Sequence, residues 1–194
     1  LDIQNIRWLL ERVEFVDHFY FRREMFKPHG MHFIVETSNA TLLDVTHGTY
    51  PNVTSSVCSA NGVCNSVGLT LSDIQKFGSN MEIIGVAKSY PTRVGSGVLP
   101  TLMGDNDISR KIVHDGHEYG VTTGRGRRPG WFDLVILKHT HSVNGYTCLN
   151  ITRLDNLSFL EKIKVCIAYK NFQEFPPTDS ELDAVEPEYI EFDG

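Results

Sequence analysis

The strongest constraint on the fold is an alternation of helix-like and strand-like segments along the 194 residues of the chain. Helices are predicted where apolar side chains recur at helical spacing, at residues 2–20, 106–116 and 131–145. Strands are predicted at residues 31–36, 42–45, 81–90, 146–155 and 162–170. The order favours an α/β fold with a predominantly parallel central sheet flanked by helices, whose loops at the strand ends carry the chemistry.

Composition and charge limit the classes of partner. Hydrophobic residues make up 41% of the chain, enough for one sizeable core or one large piece of a bigger enzyme. The net charge of −6 argues against a general nucleic-acid or anionic-membrane surface. No apolar run approaches the ~20 residues that a membrane span requires. Since the chain begins at Leu1 without a signal-peptide pattern, we expect an internal fragment. Residues 175–194 are acidic and carry little packing signal, so we expect a weakly packed tail there.

Cysteines and glycosylation sequons bear on the compartment. The cysteines have neither C-x-x-C spacing nor a histidine pair at zinc spacing: Cys58, Cys64, Cys148 and Cys166. Reduced thiols in a cytoplasmic protein are the favoured interpretation, and a two-disulfide framework is the alternative. N-x-[ST] sequons at Asn39, Asn52, Asn150 and Asn156 would indicate secretion, but so short a motif often arises by chance.

The segment "VTTGRGRRPGW", Val121 to Trp131, is the most concentrated chemical signal in the chain. Its glycines allow close approach of the backbone to a ligand, and Pro129 argues against a helix. Its three arginines are suited to gripping carboxylate or phosphate by paired hydrogen bonds. A basic surface loop is the plain alternative. Two further features sit in loops or at strand ends, the hydroxyl-rich "GTYPNVTSS" and the tetrapeptide "TRLD", each weak when taken alone.

Taken together and in order, these segments resemble adenylosuccinate synthetase. The resemblance covers roughly residues 35–170 and rests on "LLDVTHGTYPNVTSS", "GVAKSYPTRVGSG", "GHEYGVTTGRGRRPGWFDLV" and "VNGYTCLNITRLD" followed by "EKIKVCIAYK". It implies a P-loop-like GTP-binding ligase fold, present here as one partial domain over residues 1–194. The family's N-terminal phosphate loop, with its catalytic aspartate and histidine, and the C-terminal end of its guanine pocket are expected outside this chain.

The resemblance also implies a reaction. Family members are GDP-forming carbon–nitrogen ligases that join IMP and L-aspartate, through 6-phosphoryl-IMP, to give adenylosuccinate on the route to AMP. GTP is the co-substrate and Mg²⁺ the cofactor, with metal ligands and catalytic residues expected outside this chain. The implied partners are IMP, L-aspartate and GTP, and the full-length protein would be a homodimer. Because the catalytic residues lie elsewhere, we expect the 194-residue chain alone to be inactive.

Site residues follow from the resemblance position by position. The IMP contacts would be Asn39, Thr54, Val94 and Arg125. The aspartate loop would comprise Val121, Thr122, Thr123, Gly124, Arg125, Gly126 and Arg127. The GTP contacts would be Arg127, Arg153, Leu154 and Asp155, with Asp155 accepting hydrogen bonds from guanine.

Departures from the family pattern leave other function classes open. Thr37 stands where the family has glycine, Asn52 replaces an aromatic residue beside Thr54, and Leu102 replaces a glutamate. A degenerate relative that keeps a nucleotide- or anion-binding surface without catalysis is therefore one alternative. An unrelated α/β phosphate-binding module is another, although the placement of "TRLD" argues against it.

Overall fold

The computed structural model describes residues 3–17, 19–27, 32–121, 124–176 and 178–194. Its helices are α1 (Ile3–Leu10), α2 (Tyr20–Met25), α3 (Ala60–Val67), α4 (Leu71–Phe77), α5 (Asp107–Asp115), α6 (Leu134–Asn144) and α7 (Asp179–Asp183). Its strands are β1 (Ile84–Lys88), β2 (Thr92–Arg93), β3 (Arg128–Pro129), β4 (Phe132–Asp133), β5 (Cys148–Thr152), β6 (Lys162–Tyr169) and β7 (Pro187–Asp193). Two compact units result, Leu1–Glu36 with Gly62–Gly78, and Thr37–Asn61 with Ser79–Gly194.

The larger unit combines parallel and antiparallel strand pairs. β1 and β5 run parallel, as do β4 and β6, while β7 runs antiparallel to β6 and β2 antiparallel to β3. In the chain, α5 and α6 lie between β1 and β5, and α6 lies between β4 and β6, so at least one helix separates the strands of each parallel pair. The predicted α/β class is confirmed.

The ends of β1 and β5 bring two loops to one edge of their sheet. The main-chain N–H of Ser89 donates to the carbonyl of Thr152 at 2.8 Å, and its hydroxyl donates to the carbonyl of Arg153 at 2.9 Å. In a parallel pair both chains leave the sheet at the same edge, which is where α/β proteins bind ligands. The "TRLD" segment therefore lies beside the loop that follows β1.

Local side-chain chemistry fixes the ends of the predicted helices. Asn106 and Ser109 form a reciprocal capping box at the start of α5. Asp133 accepts hydrogen bonds from two main-chain N–H groups at the start of α6. This helix ends at Gly145, whose φ of 67° is the left-handed conformation that glycine adopts without strain. Both helices were predicted, and the end at Gly145 is confirmed.

Two predicted strands are absent from the part of the chain that the structure describes. Residues 32–36 have no regular structure, and Ile34 is 96% exposed; Met31 lies outside the described residues. Residues 42–45 are likewise not a strand, because Thr41–Leu43 form a 3₁₀ turn. The turn persists because Asp44 accepts hydrogen bonds from four main-chain N–H groups, a geometry that an extended strand does not provide.

The acidic C-terminal tail is packed, contrary to the sequence-based expectation. It forms α7 and then β7, which pairs along the length of β6. Leu182 is 1% exposed and packs with Cys166 and Tyr169. The acidic composition suggested an unpacked tail, but β7 is an edge strand of the described sheet β4-β6-β7. Charged side chains are common on edge strands.

The smaller unit is held by a buried carboxylate. Asp73 is fully buried, accepts two hydrogen bonds from Arg22 at 2.7 and 3.2 Å, and forms a capping box with Thr70 at the start of α4. Thr70 therefore caps this helix. No helix in the described ranges is long and apolar enough to cross a membrane.

Candidate functional site

The arginine-rich segment forms a hairpin. The N–H of Arg127 donates to the carbonyl of Glu118, and the N–H of Gly120 donates to the carbonyl of Arg125, each at 2.8 Å. A β-bridge between Tyr119 and Gly126 lies between these two bonds. We call residues 118–127 the arginine hairpin. These hydrogen bonds hold the two strands of the hairpin together at its base.

The tip of the arginine hairpin is open to solvent. Val121 is 98% exposed, and Arg125 is exposed with no side-chain partner among the residues that the structure describes. Gly124 has a φ of 63°, which favours glycine. Thr122 and Thr123, predicted to contact aspartate, lie outside the described residues. Arg125 is thus available to a ligand.

The neighbouring arginines are placed differently. Arg127 is half-buried and donates to the carboxylate of Glu118 at 3.0 Å. Arg128 lies in β3 and donates to the carbonyl of Gly97. Of the three arginines singled out in the sequence, Arg125 is exposed and has no side-chain partner within the described ranges, whereas Arg128 has a structural role between β3 and the loop after β2.

Glu118 is the centre of a buried polar cluster. Its side chain is 1% exposed and accepts hydrogen bonds from Lys88 at 2.7 Å, Arg127 at 3.0 Å and the hydroxyl of Tyr90 at 3.2 Å. The side-chain amide of Asn156 in turn donates to the Tyr90 hydroxyl at 2.7 Å. A continuous hydrogen-bonded path therefore runs from the arginine hairpin to the residue that follows Asp155.

The charges in this cluster stabilise one another. Burial alone would raise the pKa of Glu118, but the hydrogen bonds and positive charges of Lys88 and Arg127 outweigh it and hold that pKa below its usual range. Burial lowers the pKa of Lys88, and Glu118 opposes this change. The positive charge of Arg153 also lowers the pKa of Lys88.

The "TRLD" segment is a tight, exposed turn. Arg153 has a φ of 63°, and the 3₁₀ turn Leu154–Leu157 follows it. The carboxylate of Asp155 is exposed and caps no helix among the described residues; its main-chain carbonyl accepts from Ser158 instead. Within the described residues, Asp155 therefore does not act as a helix cap. An exposed Asp155 also means that any burial of this carboxylate against guanine must come from a ligand or further chain.

Asn156 belongs to a sequon, yet its side chain is buried. Its amide donates both to Tyr90 and to the carbonyl of Ile112, at 2.7 and 3.1 Å. A glycan on this nitrogen would require both hydrogen bonds to break. At Asn156 the sequon is therefore a chance match within a structural residue.

Asp44 organises the loop that carries Thr54. One carboxylate oxygen accepts from the N–H groups of Thr46 and His47 at 2.8 and 3.0 Å, and the other from Cys58 and Ser59 at 2.6 and 2.9 Å. Burial opposes ionisation of Asp44, but these four donors hold its pKa well below the usual range. Asp44 thus closes the loop of residues 45–59 at its base.

Replacing Asp44 with asparagine is expected to lower the free energy of unfolding by about 2 kcal/mol at pH 7, since its amide would face main-chain donors. A depressed folded pKa contributes stability that is present above the unfolded pKa, near 4, and is lost as pH falls. Urea unfolding at pH 7 and pH 3 should therefore show a difference that shrinks in acid. Asp105→Asn, at an exposed carboxylate, is the control. An undiminished difference at pH 3 would contradict this role.

A second cluster ties the Thr54 loop to β2 and α7. Arg93 donates to the hydroxyl of Thr49 at 2.9 Å and to the carbonyl of Asn52 at 3.1 Å, and lies 3.6 Å from a carboxylate oxygen of Asp179. The side-chain amide of Asn52 donates to the same carboxylate. Asn52, which departs from the family pattern, is therefore engaged with Asp179, and Thr54 remains half-buried beside it.

The remaining predicted contacts lie on exposed segments of the larger unit. Val94 is 42% exposed, and antiparallel pairing of Arg93 with Arg128 leaves Val94 at the same end of the ladder as Arg127. Asn39 is exposed, and its amide donates to the hydroxyl of Ser38 at 3.2 Å. Two surface grooves, of about 330 and 500 Å³, are lined by none of the described residues that were predicted to contact a ligand. Those described residues are exposed or half-buried.

Comparison with known proteins decides the family. The model for "Adenylosuccinate synthetase" matches residues 4–194. The chain belongs to the adenylosuccinate synthetase family. Two curated relatives with that name, from Ajellomyces capsulatus strains H143 and NAm1 / WU24, are each 47% identical over 165 residues, which is 83% of this chain and 37% of each relative.

A solved structure supports the same conclusion at the level of the fold. It is the fully ligated adenylosuccinate synthetase of Plasmodium falciparum, 34% identical, with a TM-score of 0.82 over 96% of this chain and 43% of the other. The chain thus spans less than half the length of these synthetases. The α/β fold predicted from the resemblance is confirmed.

Sequence reasoning missed several buried polar residues around the candidate site. Glu118, Tyr90 and Asp44 were not singled out, although each is fully or almost fully buried with several polar partners. For Asp44 a signal existed, a lone carboxylate after two leucines and before a long loop of small polar residues. For Glu118 and Tyr90 the signal lies in tertiary contacts alone.

Proposed function

We propose that this chain supplies part of the active site of a GDP-forming carbon–nitrogen ligase that converts IMP, L-aspartate and GTP to adenylosuccinate. Within it, the arginine hairpin would bind aspartate, Asn39, Thr54, Val94 and Arg125 would contact IMP, and Arg127 with residues 153–155 would contact GTP. The observation that carries the proposal is the hairpin itself, because it presents an exposed Arg125 on a hydrogen-bonded base in a chain of this family.

The proposed reaction has two steps. The γ-phosphoryl group of GTP passes to the 6-oxygen of IMP, releasing GDP, and the aspartate amine then attacks carbon 6 and expels phosphate. Arg125 would hold the aspartate carboxylate by paired, charge-assisted hydrogen bonds. Arg127 uses one N–H on Glu118, which leaves other donors for negative charge that develops during phosphoryl transfer.

The Mg²⁺ cofactor implied by the resemblance needs ligands, and we propose that these lie outside this chain. The described residues include no group of three or more His, Cys, Asp or Glu that could hold an ion. We therefore assign no step to Mg²⁺ held by this chain and propose that its ligands, like the catalytic aspartate and histidine, are supplied by a further part of the polypeptide. By the same resemblance we propose that the full-length protein is a homodimer in the cytoplasm. The free cysteines of the chain are consistent with that reducing compartment.

A chimera tests the proposal. The 165-residue stretch matched in the Ajellomyces capsulatus H143 synthetase would be replaced by the corresponding residues of this chain. With IMP, GTP, Mg²⁺ and aspartate, we expect the chimera to form adenylosuccinate and the 194-residue chain alone to form none above a blank without protein. The measurement is nucleotide product by chromatography, with the unmodified host synthetase as the positive control.

The chimera also separates the alternatives. A folded chimera that binds IMP and GTP but forms no product would favour the degenerate relative that retains only nucleotide binding. A folded chimera that binds neither nucleotide would overturn the proposed function. Product formation by the 194-residue chain alone would contradict the proposal that catalytic residues lie in another part of the polypeptide.

A further inference from the structure

The buried hydrogen-bonded path through Glu118 joins the arginine hairpin, which is proposed to bind aspartate, to the turn at residues 153–156, which is proposed to contact guanine. On one side Glu118 holds Arg127 of the arginine hairpin; on the other, Tyr90 connects Glu118 to Asn156. Asn156 directly follows Asp155, the proposed contact to guanine. All of these residues lie in the larger compact unit. The aspartate segment and the guanine segment thus share one hydrogen-bonded support.

We propose that Tyr90 and Glu118 are positioning residues that hold the arginine hairpin and the 153–156 turn in a fixed arrangement, an inference whose substrate assignments rest on the proposed function. Tyr90 is fully buried, and its hydroxyl donates to Glu118 while accepting from Asn156. A hydroxyl with a donor on one side and an acceptor on the other fixes both neighbours at once. Both side chains are buried, so we assign neither a direct contact with substrate.

Geometry at Glu118 explains how the hairpin is oriented. The residue contributes its side chain to Arg127 and its main-chain carbonyl to the N–H of the same residue, at 3.0 and 2.8 Å. Arg127 is therefore held at two points, and its guanidinium cannot rotate freely without leaving a buried carboxylate short of a partner. Lys88 supplies the second positive charge, which keeps Glu118 ionised.

The other end of the path fixes the turn. The amide of Asn156 also donates to the carbonyl of Ile112, so the turn is anchored to α5 as well as to Tyr90. Gly116, the residue after α5, has no room for a β-carbon, because the nearest atoms of Asn156 and Tyr90 would lie 2.5 and 2.7 Å away. The packing around this end of the path is therefore tight. We expect the loss of one hydrogen bond there to destabilise the turn locally.

The test uses the 194-residue chain and the variant Tyr90→Phe, which keeps the buried ring and removes the hydroxyl. Tyr169→Phe is the matched control, because Tyr169 is also buried and donates its hydroxyl to a carboxylate, that of Asp133, at 2.8 Å. Amide hydrogen exchange would be followed by NMR at Arg127 and Asn156. We expect about tenfold faster exchange at both amides in Tyr90→Phe, and no such local change in Tyr169→Phe.

The same variants in the chimera give a functional readout. Tyr90→Phe is expected to raise the KM values for aspartate and for GTP by about fivefold each, with a smaller change in kcat, because both substrates lose a positioned contact. Tyr169→Phe should leave both KM values unchanged.

Exchange that rises at only one of the two amides, or rises equally in both variants, would overturn the positioning role. An inactive parent chimera would count against the proposed function alone, since the exchange experiment in the chain still decides whether Tyr90 positions both segments.

Discussion

Replacing Arg125 with alanine in the chimera is expected to raise the KM for aspartate by about 100-fold, with IMP and GTP saturating. The guanidinium is exposed at the tip of the arginine hairpin and has no partner among the described side chains, so all of its donors are available. Loss of a paired contact to a carboxylate costs about 3 kcal/mol, which corresponds to that factor. Initial rates over a range of aspartate concentrations measure the effect.

Arg110→Ala is the control for bulk charge in the Arg125 experiment. Arg110 is an exposed arginine on α5, and its guanidinium already pairs with Asp105 and Asp107. Removing it should change the aspartate KM by less than about twofold, since exposed ion pairs contribute little. Arg128 would be a poorer control, because it lies in β3 and donates to Gly97. Equal losses at Arg125 and Arg110 would mean that the hairpin acts only through its charge.

Asp155→Asn in the chimera is expected to move nucleotide preference from GTP toward XTP. A carboxylate accepts hydrogen bonds only, which suits the ring N–H and exocyclic amino group of guanine. Asparagine keeps the shape but adds a donor, and xanthine offers a 2-oxo group to accept from it. The change in preference should be about 2–5 kcal/mol once the pair is covered, the scale for losing one partner of a buried charged hydrogen bond. The measurement is kcat/KM for GTP, XTP and ATP.

Asp183→Asn is the control for the Asp155 experiment, because Asp183 is an exposed carboxylate at the end of α7. It should leave the preference for GTP unchanged. If Asp155→Asn keeps the preference for GTP and gains nothing with XTP, then Asp155 does not recognise guanine, and the GTP contacts must be sought elsewhere.

The sequence by itself determined the elements whose local signals agree. Helix α6 has an apolar period, an aspartate cap at Asp133 and a glycine stop at Gly145, and it forms where predicted. Strands β1, β5 and β6 are rich in apolar and β-branched residues and are also confirmed. The order of the motifs was enough to identify the family, because several chemically distinct segments had to agree in sequence and spacing.

Tertiary structure decided what depends on contacts between distant residues. Residues 42–45 look like a strand, yet Asp44 turns the chain there by collecting donors from residues up to 15 positions away. In the sequence, β7 has the composition of an acidic tail, yet it forms a strand because its main chain pairs with β6.

The same distinction applies to the residues of the candidate site. The sequence identified arginine and aspartate side chains as candidate ligand contacts, because such residues in glycine-rich loops can be recognised from the local sequence alone. It did not single out Tyr90 and Glu118, and it marked Asn156 only as part of a sequon. The polar groups of these residues become informative only when folding removes them from water and makes each require a partner.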